Sequence, residues 1–317
     1  MRESPTSPHP WILLLPLLLG CGANPLAQSW QLDRLRILAV KGEPAEPRPG
    51  ETVVFDSLLY LPEGQTLNLL TWFACLPEDS NSFGCTTDPS VTEELAGLDP
   101  KTLSEEELAA LREQLAEAGL IGAEPWLPPS WTVPADALDG LSEEERNEGV
   151  SALVSVTAIP ERAVSASDLE LAFKRIPVSE ALTPNHNPVI TGFRVDGEEV
   201  GPEAVIQLGW GETPTIEVLL AEDAIETYLF LTEEGEEEER LEEPYVSWFA
   251  EAGEFDQPYA LYPYLDIEWT APAARLSSLR WPVPREPLRE VRLSAVVRDR
   301  RGGMGWASLR VELSDAP

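Results

Sequence analysis

The sequence carries one pattern twice, and this duplication constrains the fold more than any other feature. Three stretches of the first half have near copies in the second half, in the same order. They are ILAVKGE (37–43) with ITGFRVDGE (190–198), GETVVFDSLL (50–59) with GETPTIEVLL (211–220), and TWFAC (71–75) with SWFAE (247–251). We therefore expect two units built on one design.

Both units are rich in short runs of β-branched and aromatic residues bounded by turn formers, which is the signal of antiparallel strands. Residues 183–188 (TPNHNP) are poor in apolar side chains and predict a linker between the units. The sequence thus predicts an all-β protein with one unit at 36–182 and a second at 189–317. A hairpin around Asp299–Gly303 would close the second unit.

A helical pattern interrupts the first unit. Residues 102–122 (TLSEEELAALREQLAEAGLIG) predict a helix in which Ser104 and Glu107 form a capping box and Gly119 is the C-cap. Ser142 and the three glutamates that follow predict a second, shorter helical turn. Residues 86–148 are therefore interpreted as a helical insertion.

Trp72 and Trp248 lie at equivalent places in the two units. An early strand, a Gly-Glu-Thr turn, a middle strand with tryptophan and a closing hairpin resemble bacterial immunoglobulin-like sandwiches. The resemblance implies two immunoglobulin-like β-sandwich domains, each with its own core filled by one of these tryptophans. We then expect each half to unfold largely by itself.

The N-terminus indicates export. The apolar run from Trp11 to Leu19 is shorter than the roughly 20 residues that span a bilayer. It ends in Leu-Leu-Gly-Cys21, which resembles the lipobox of bacterial lipoproteins. The resemblance implies a signal peptide at 1–20, an acylated Cys21, a tether at 21–35, and an outer-membrane or cell-surface location because Gly22 carries no acidic retention signal. The alternative is an ordinary secretory signal with a chance cysteine.

Charge and cysteine usage agree with an extracytoplasmic protein. A net charge of −34 opposes binding to nucleic acid and to anionic lipid, so membrane association would depend on the lipid on Cys21. Cys75 and Cys85 predict a disulfide in an oxidising compartment. Metal ligation by these cysteines is the alternative, but His186 is the single histidine after signal removal.

Three further places in the sequence are candidate sites. His186 lies in the linker, where a solvated residue is favoured over a catalytic base, so no catalytic residue is predicted. Trp126 and Trp131 either form an aromatic partner-binding surface or fold back over the sandwich. The glutamates of the run 233–243, among them Glu236, Glu237, Glu238 and Glu239, either bind Ca²⁺ or a cationic partner, or form a solvated hairpin tip, which is favoured.

The whole chain resembles an uncharacterised class of predicted lipoproteins with tandem immunoglobulin-like domains, a resemblance that implies no known activity. The sequence favours a non-enzymatic cell-envelope lipoprotein, without a cofactor, that acts on a protein partner in adhesion, assembly or spacing. The alternative is a surface module that binds a solute or Ca²⁺ through the insertion or the Glu-rich hairpin.

Overall fold

The computed structural model describes residues 28–76, 119–165, 168–232, 236–273 and 290–314, together with Ser104, Glu106, Glu107 and Ala110. The expected all-β fold is confirmed, since strands dominate these residues. No helix among them has the length and apolar character needed to cross a bilayer.

The first half of the chain forms two facing sheets with the strand orders β1-β2-β5 and β4-β3-β6-β7. Neighbouring strands in both sheets are antiparallel. The strands are β1 (Arg36–Glu43), β2 (Thr52–Tyr60), β3 (Leu67–Cys75), β4 (Leu120–Glu124), β5 (Ser130–Thr132), β6 (Val150–Pro160) and β7 (Glu170–Val178).

The second half forms two five-stranded sheets, β15-β17-β11-β8-β9 and β10-β19-β18-β14-β16, and a separate hairpin, β12-β13. The strands are β8 (Ile190–Val195), β9 (Glu198–Val200), β10 (Val205–Gly209), β11 (Thr215–Leu220), β12 (Thr227–Leu231), β13 (Glu237–Leu241), β14 (Tyr245–Ala250), β15 (Glu254–Phe255), β16 (Tyr259–Leu261), β17 (Asp266–Thr270), β18 (Glu290–Arg298) and β19 (Met304–Ser314).

The two sandwiches share one strand order. Sheet β1-β2-β5 corresponds to β8-β11-β17, and sheet β4-β3-β6-β7 corresponds to β16-β14-β18-β19. This separation of the first, second and fifth strands from the third, sixth and seventh is that of immunoglobulin-like sandwiches. The second sandwich adds β9, β10, β15 and the β12-β13 hairpin.

The segment interpreted as a helical insertion also supplies sheet strands. Ser104 and Glu107 form the expected capping box, with Ser104 N donating to Glu107 Oε2 at 2.8 Å and Glu107 N donating to Ser104 Oγ at 3.3 Å. Gly119 has φ +84°, and the chain beyond it forms β4 rather than the helix predicted to reach residue 122. The second predicted helical turn is α1 (Glu143–Glu148), capped by Ser142.

Trp72 and Trp248 fill the two cores, as predicted. Both are 0 % exposed, and each packs on a phenylalanine of the facing sheet. The ring centroids of Phe55 and Trp72 are 6.1 Å apart, and those of Phe193 and Trp248 are 5.8 Å apart. The recurrence of Trp-Phe-Ala therefore reflects packing.

The residues before β1 lie on the second sandwich. Gln31 pairs in parallel with Ala250, whose N–H donates to Trp30 O at 3.1 Å and whose carbonyl accepts from Leu32 N at 2.9 Å. Trp30 meets Phe255 edge-on at 5.2 Å. Residues 28–32 of the predicted tether are thus attached to the folded body.

Candidate functional site

A network of hydrogen-bonded and ion-paired side chains lies where the two sandwiches meet. Two asparagines of the predicted linker each bond to both sides. Asn185 N donates to Glu46 Oε2 at 2.7 Å, and its Nδ2 donates to Asp299 Oδ2 at 2.8 Å. Asn187 Nδ2 donates to Gly42 O at 2.7 Å, and its Oδ1 accepts from Met304 N at 3.0 Å.

The turn between β18 and β19 is built around Asp299. Its Oδ1 accepts from the backbone N–H groups of Arg301, Gly302 and Gly303 at 2.7, 2.9 and 3.0 Å. A Cβ on Gly303 would lie 2.1 Å from Asp299 Oδ2, so glycine is required there. The carboxylate thereby fixes the turn that faces the first sandwich.

Arg301 gathers carboxylates at the centre of the junction. Its Nη1 lies 3.0 Å from Glu242 Oε1 and 3.2 Å from Glu226 Oε2, and its Nη2 lies 3.6 Å from Glu46 Oε2. Glu46 belongs to the first sandwich and is 9 % exposed, while Glu242 is 2 % exposed. Buried carboxylates at this separation are tolerable because a guanidinium lies among them.

Lys174 lies in β7 of the first sandwich. Its Nζ donates to Gly302 O in the β18-β19 turn of the second sandwich. Burial lowers the pKa of Lys174 to about 8, although Asp299 opposes the change. Burial likewise raises the pKa of Asp299 and of Glu242. These shifts arise from desolvation of charged groups at the junction.

A side-chain-to-backbone hydrogen bond, a cation–π contact and an apolar cluster extend the junction along β1. Arg298 Nη2 donates to Leu38 O at 3.2 Å, and Lys41 Nζ lies 4.4 Å from the centre of the Trp306 ring. Phe249, the neighbour of the core Trp248, packs on a small apolar cluster of Leu32, Leu38 and Tyr60. The outer face of β14 thus carries part of the interface.

His186 is bonded within this junction, with Nδ1 2.6 Å from Glu226 Oε1, while 71 % of its side chain remains exposed. In the described part of the chain no serine, threonine or cysteine bonds to its ring. The arrangement therefore holds the sandwiches together, and it contains none of the nucleophile–base pairing that covalent catalysis requires.

The two tryptophans proposed for partner binding are both partly buried. Trp131 lies in β5 opposite Val53 and packs against the first core. Trp126 lies in the turn after β4, where its N–H donates to Ala123 O at 2.9 Å. Trp131 thus folds back on the sandwich, and a partner-binding role for either ring stays a prediction.

Of the three cysteines, only Cys75 is among the described residues. Cys75 ends β3 and is partly buried. Cys85 and Cys21 lie outside the described residues. The disulfide and the lipidation therefore stay predictions.

The four glutamates Glu236–Glu239 lie at the start of β13 and just before it, rather than forming only a loop tip. Because side chains alternate along a strand, Glu237 and Glu239 face one side of the hairpin and Glu238 faces the other. Within the described residues no group of three acidic, histidine or cysteine side chains is arranged to hold a metal ion.

A cleft of about 670 Å³ lies at the end of the first sandwich, between the β2-β3 and β6-β7 turns. Two of its acidic residues have partners, since Thr66 Oγ1 donates to Glu161 Oε2 at 2.6 Å and Arg36 pairs with Glu170 at 3.5 Å. Arg34 and Arg162 also line the cleft, and neither forms an ion pair with any described residue.

Sequence reasoning identified the linker but missed the junction. The signal available was the polar Asn-His-Asn run between two prolines, since asparagine can donate and accept at once. Its partners Glu46, Glu226 and Asp299 are dispersed along the chain, and nothing in their local pattern indicates that they meet.

Comparison with known proteins gives no assignment by sequence, since no family model and no curated protein matches the chain. Three similar solved structures are the tandem V-type regions of a v-region-containing chitin binding protein, the N-terminal Ig1-2 module of a Drosophila receptor protein tyrosine phosphatase, and a putative membrane anchored protein from Corynebacterium diphtheriae.

The first has 12 % identity and a TM-score of 0.28, and covers 87 % of this chain and 99 % of its own. The second has 12 % identity and a TM-score of 0.22, with coverages of 89 % and 99 %. The third has 10 % identity and a TM-score of 0.20, with coverages of 90 % and 60 %. Such low scores carry no argument, so the immunoglobulin-like assignment rests on the strand order of the chain.

Proposed function

We propose that this is a non-enzymatic, lipid-anchored cell-envelope protein whose two immunoglobulin-like sandwiches act as one rigid body in adhesion, assembly or spacing. The junction supports this proposal most directly. Asn185, Arg301 and Lys174 each bond across it, and hinge motion would break these buried charged contacts at a cost in free energy.

The contacts of the segment before β1 support an anchoring role. Gln28 is seven positions after Cys21, so a lipid on that cysteine would hold the second sandwich within about 25 Å of the bilayer at full extension. Since residues 30–32 are hydrogen bonded to Ala250, the anchor would connect directly to the rigid body.

The anchor is tested by replacing Cys21 with serine in the producing cell and fractionating membranes after a carbonate wash. We expect the protein to leave the membrane fraction, whereas the Gly22→Ala control keeps the cysteine and stays. A Cys21→Ser protein that remains with the membranes would contradict lipid anchoring.

A solute-binding surface module is the second candidate, and the cleft with Arg34 and Arg162 favours it. Its volume lies in the range of small-molecule sites, and Arg34 and Arg162, which pair with no described residue, would hold the acidic group of a solute beside the carboxylates of Glu161, Asp168 and Glu170. Calorimetric titration with dicarboxylates and acidic sugars tests it, with the Arg34→Gln/Arg162→Gln variant as control. No heat of binding in the wild type, or an equal heat of binding in the variant, argues against this candidate.

If the surface module binds Ca²⁺ instead of a solute, millimolar Ca²⁺ should raise the melting temperature of the protein. An unchanged melting temperature would eliminate calcium binding.

A further inference from the structure

The β12-β13 hairpin is an addition to the second sandwich. In the first sandwich β2 and β3 are joined by residues 61–66 alone, whereas the equivalent strands β11 and β14 are separated by residues 221–244. Within the described residues β12 and β13 pair only with each other. The sandwich closes without the hairpin, so its role lies elsewhere.

One face of the hairpin is occupied by contacts within the protein. Arg301 of the junction lies over the Tyr228 ring at 4.5 Å, and Arg240 lies over the Phe230 ring at 3.5 Å. Arg240 also pairs with Glu238 at 2.7 Å. The acidic and cationic groups on this face therefore neutralise each other.

The base of the hairpin is fixed to the body. Glu242 N donates to Glu226 O at 2.9 Å, and Glu226 N donates to Glu242 Oε2 at 3.0 Å. Both carboxylates also bind Arg301. The hairpin is therefore presented in a defined direction from the junction.

The opposite face of the hairpin carries solvent-exposed apolar side chains. Directly opposed residues of an antiparallel pair share a face, so Leu229, Leu241, Glu237 and Glu239 lie together. Leu229 is 54 % exposed and Leu241 is 51 % exposed. Neither glutamate forms an ion pair with another described residue. We call these four residues the leucine–glutamate face.

We propose that the leucine–glutamate face binds an extended segment of a partner protein in which every second residue is either cationic or apolar. Every second side chain of an extended segment points to the same side, so both kinds of side chain reach the face when the segment is added as a strand at an edge of β12 or β13 that is unpaired among the described residues. The inference gives a partner chemistry to the proposed function and rests on it for the presence of such a partner.

Charge decides between this occupant and a second copy of the chain. Two leucine–glutamate faces in contact would bring four carboxylates together without a cation, on chains that each carry −34. A segment whose every second side chain is cationic or apolar pairs with Glu237 and Glu239 and covers the two leucines.

The test is calorimetric titration of the full chain, in detergent micelles, with synthetic eight-residue peptides. We expect the peptide Lys-Ser-Lys-Ser-Val-Ser-Val-Ser, here called Lys-Val, to bind, because its lysines and valines all point to one side. The Glu-Val peptide, with glutamate in place of lysine, and the Lys-Ser peptide, with serine in place of valine, should not bind. The Leu229→Ser/Leu241→Ser variant should bind Lys-Val about tenfold more weakly or worse, because two apolar contacts are lost. Glu237→Gln/Glu239→Gln should weaken it and flatten its salt dependence.

The matched control is Val164→Ser/Leu182→Ser, which alters two side chains that are more exposed, at 92 % and 87 %, but lie outside the hairpin. This control should bind Lys-Val as the wild type does. Unchanged binding by the leucine variant, or equal binding of Lys-Ser, would overturn the proposal.

Self-association is an outcome of the same series. Sedimentation that shows wild-type dimers, lost in the Leu229→Ser/Leu241→Ser variant, would replace the partner with a second copy. Peptide binding by the purified chain does not depend on acylation of Cys21, so failure here and failure of the membrane experiment are distinguishable.

Discussion

Trp72 and Trp248 occupy equivalent positions but differ in one hydrogen bond. Trp72 Nε1 donates to Glu124 Oε2 at 3.0 Å, whereas the buried Nε1 of Trp248 has no acceptor among the described residues. The duplicated sequence predicted both burials, because an aromatic residue in a middle strand belongs in the core. It could not predict the difference, which depends on a glutamate 52 positions away.

This difference predicts unequal effects of the same substitution. Trp72→Phe removes a satisfied N–H, while Trp248→Phe removes a buried N–H without a partner. We expect Trp72→Phe to lower the free energy of unfolding by at least about 1 kcal/mol more than Trp248→Phe does. Urea unfolding of the two variants measures it, and equal losses would contradict the argument.

Lys174 should make stability rise at alkaline pH. Below about pH 8 it is charged in both the folded and the unfolded chain, and its burial lowers stability. Between about 8 and 10.5 the unfolded chain retains the proton while the folded chain has lost it, so the free energy of unfolding increases with pH. The gain reaches at most about 3 kcal/mol.

Urea unfolding at pH 7 and pH 10 tests this in wild type and in Lys174→Met. The difference between the two proteins isolates Lys174, because other groups that titrate in this range are common to both. Wild type should gain stability relative to the variant on going to pH 10. Parallel pH profiles would show that Lys174 is not the group responsible.

At the scale of elements, the interpretation of residues 86–148 was wrong in one respect. β4 pairs with β3 and β5 pairs with β2, so each sheet of the first sandwich takes a strand from this segment. The capping pattern at Ser104 and Glu107 indicates where a helix begins, and local sequence cannot show which sheet the residues beyond Gly119 join. Gly119, with its positive φ, directly precedes β4.

Gly122 makes the placement of β4 testable. A Cβ at this position would lie 2.6 Å from Pro129 Cα, which is backbone and cannot rotate away. We expect Gly122→Ala to cost about 1–3 kcal/mol in the free energy of unfolding. Gly201→Ala is the control, since no atom lies within 4 Å of its added Cβ, and it should have little effect. Equal stabilities would mean that β4 and Pro129 are not this close.

At the scale of the whole molecule, the sequence predicted two units that unfold separately, and the junction changes that expectation. The linker pattern indicated few apolar contacts, yet Asn185 is 2 % exposed and bonds to both sandwiches. Strand periodicity predicts cores within each unit. Polar contacts between residues more than 100 positions apart leave no periodic trace, so the junction could not be foreseen.

Arg301 should therefore couple the unfolding of the two halves. Arg301→Ala leaves the buried carboxylates of Glu46 and Glu242 without their cation, at a cost of about 3–5 kcal/mol. Scanning calorimetry should show one transition for wild type and two for this variant.

The neighbouring Arg300 is the matched control, because it pairs with Glu243 at 3.8 Å and both side chains are more than half exposed. Arg300→Ala should keep the single transition and shift it little. Two transitions in wild type, or one in Arg301→Ala, would show that the junction does not couple the sandwiches.

The pairing of Gln31 with Ala250 also sets an order for folding. A ribosome makes residues 28–32 about 220 residues before their partner strand, and a closure over so long a loop is entropically slow. The first sandwich can close on its own strands long before that. The segment with Trp30 must therefore stay unpaired until the second sandwich has formed, and its docking is the step that completes the native chain.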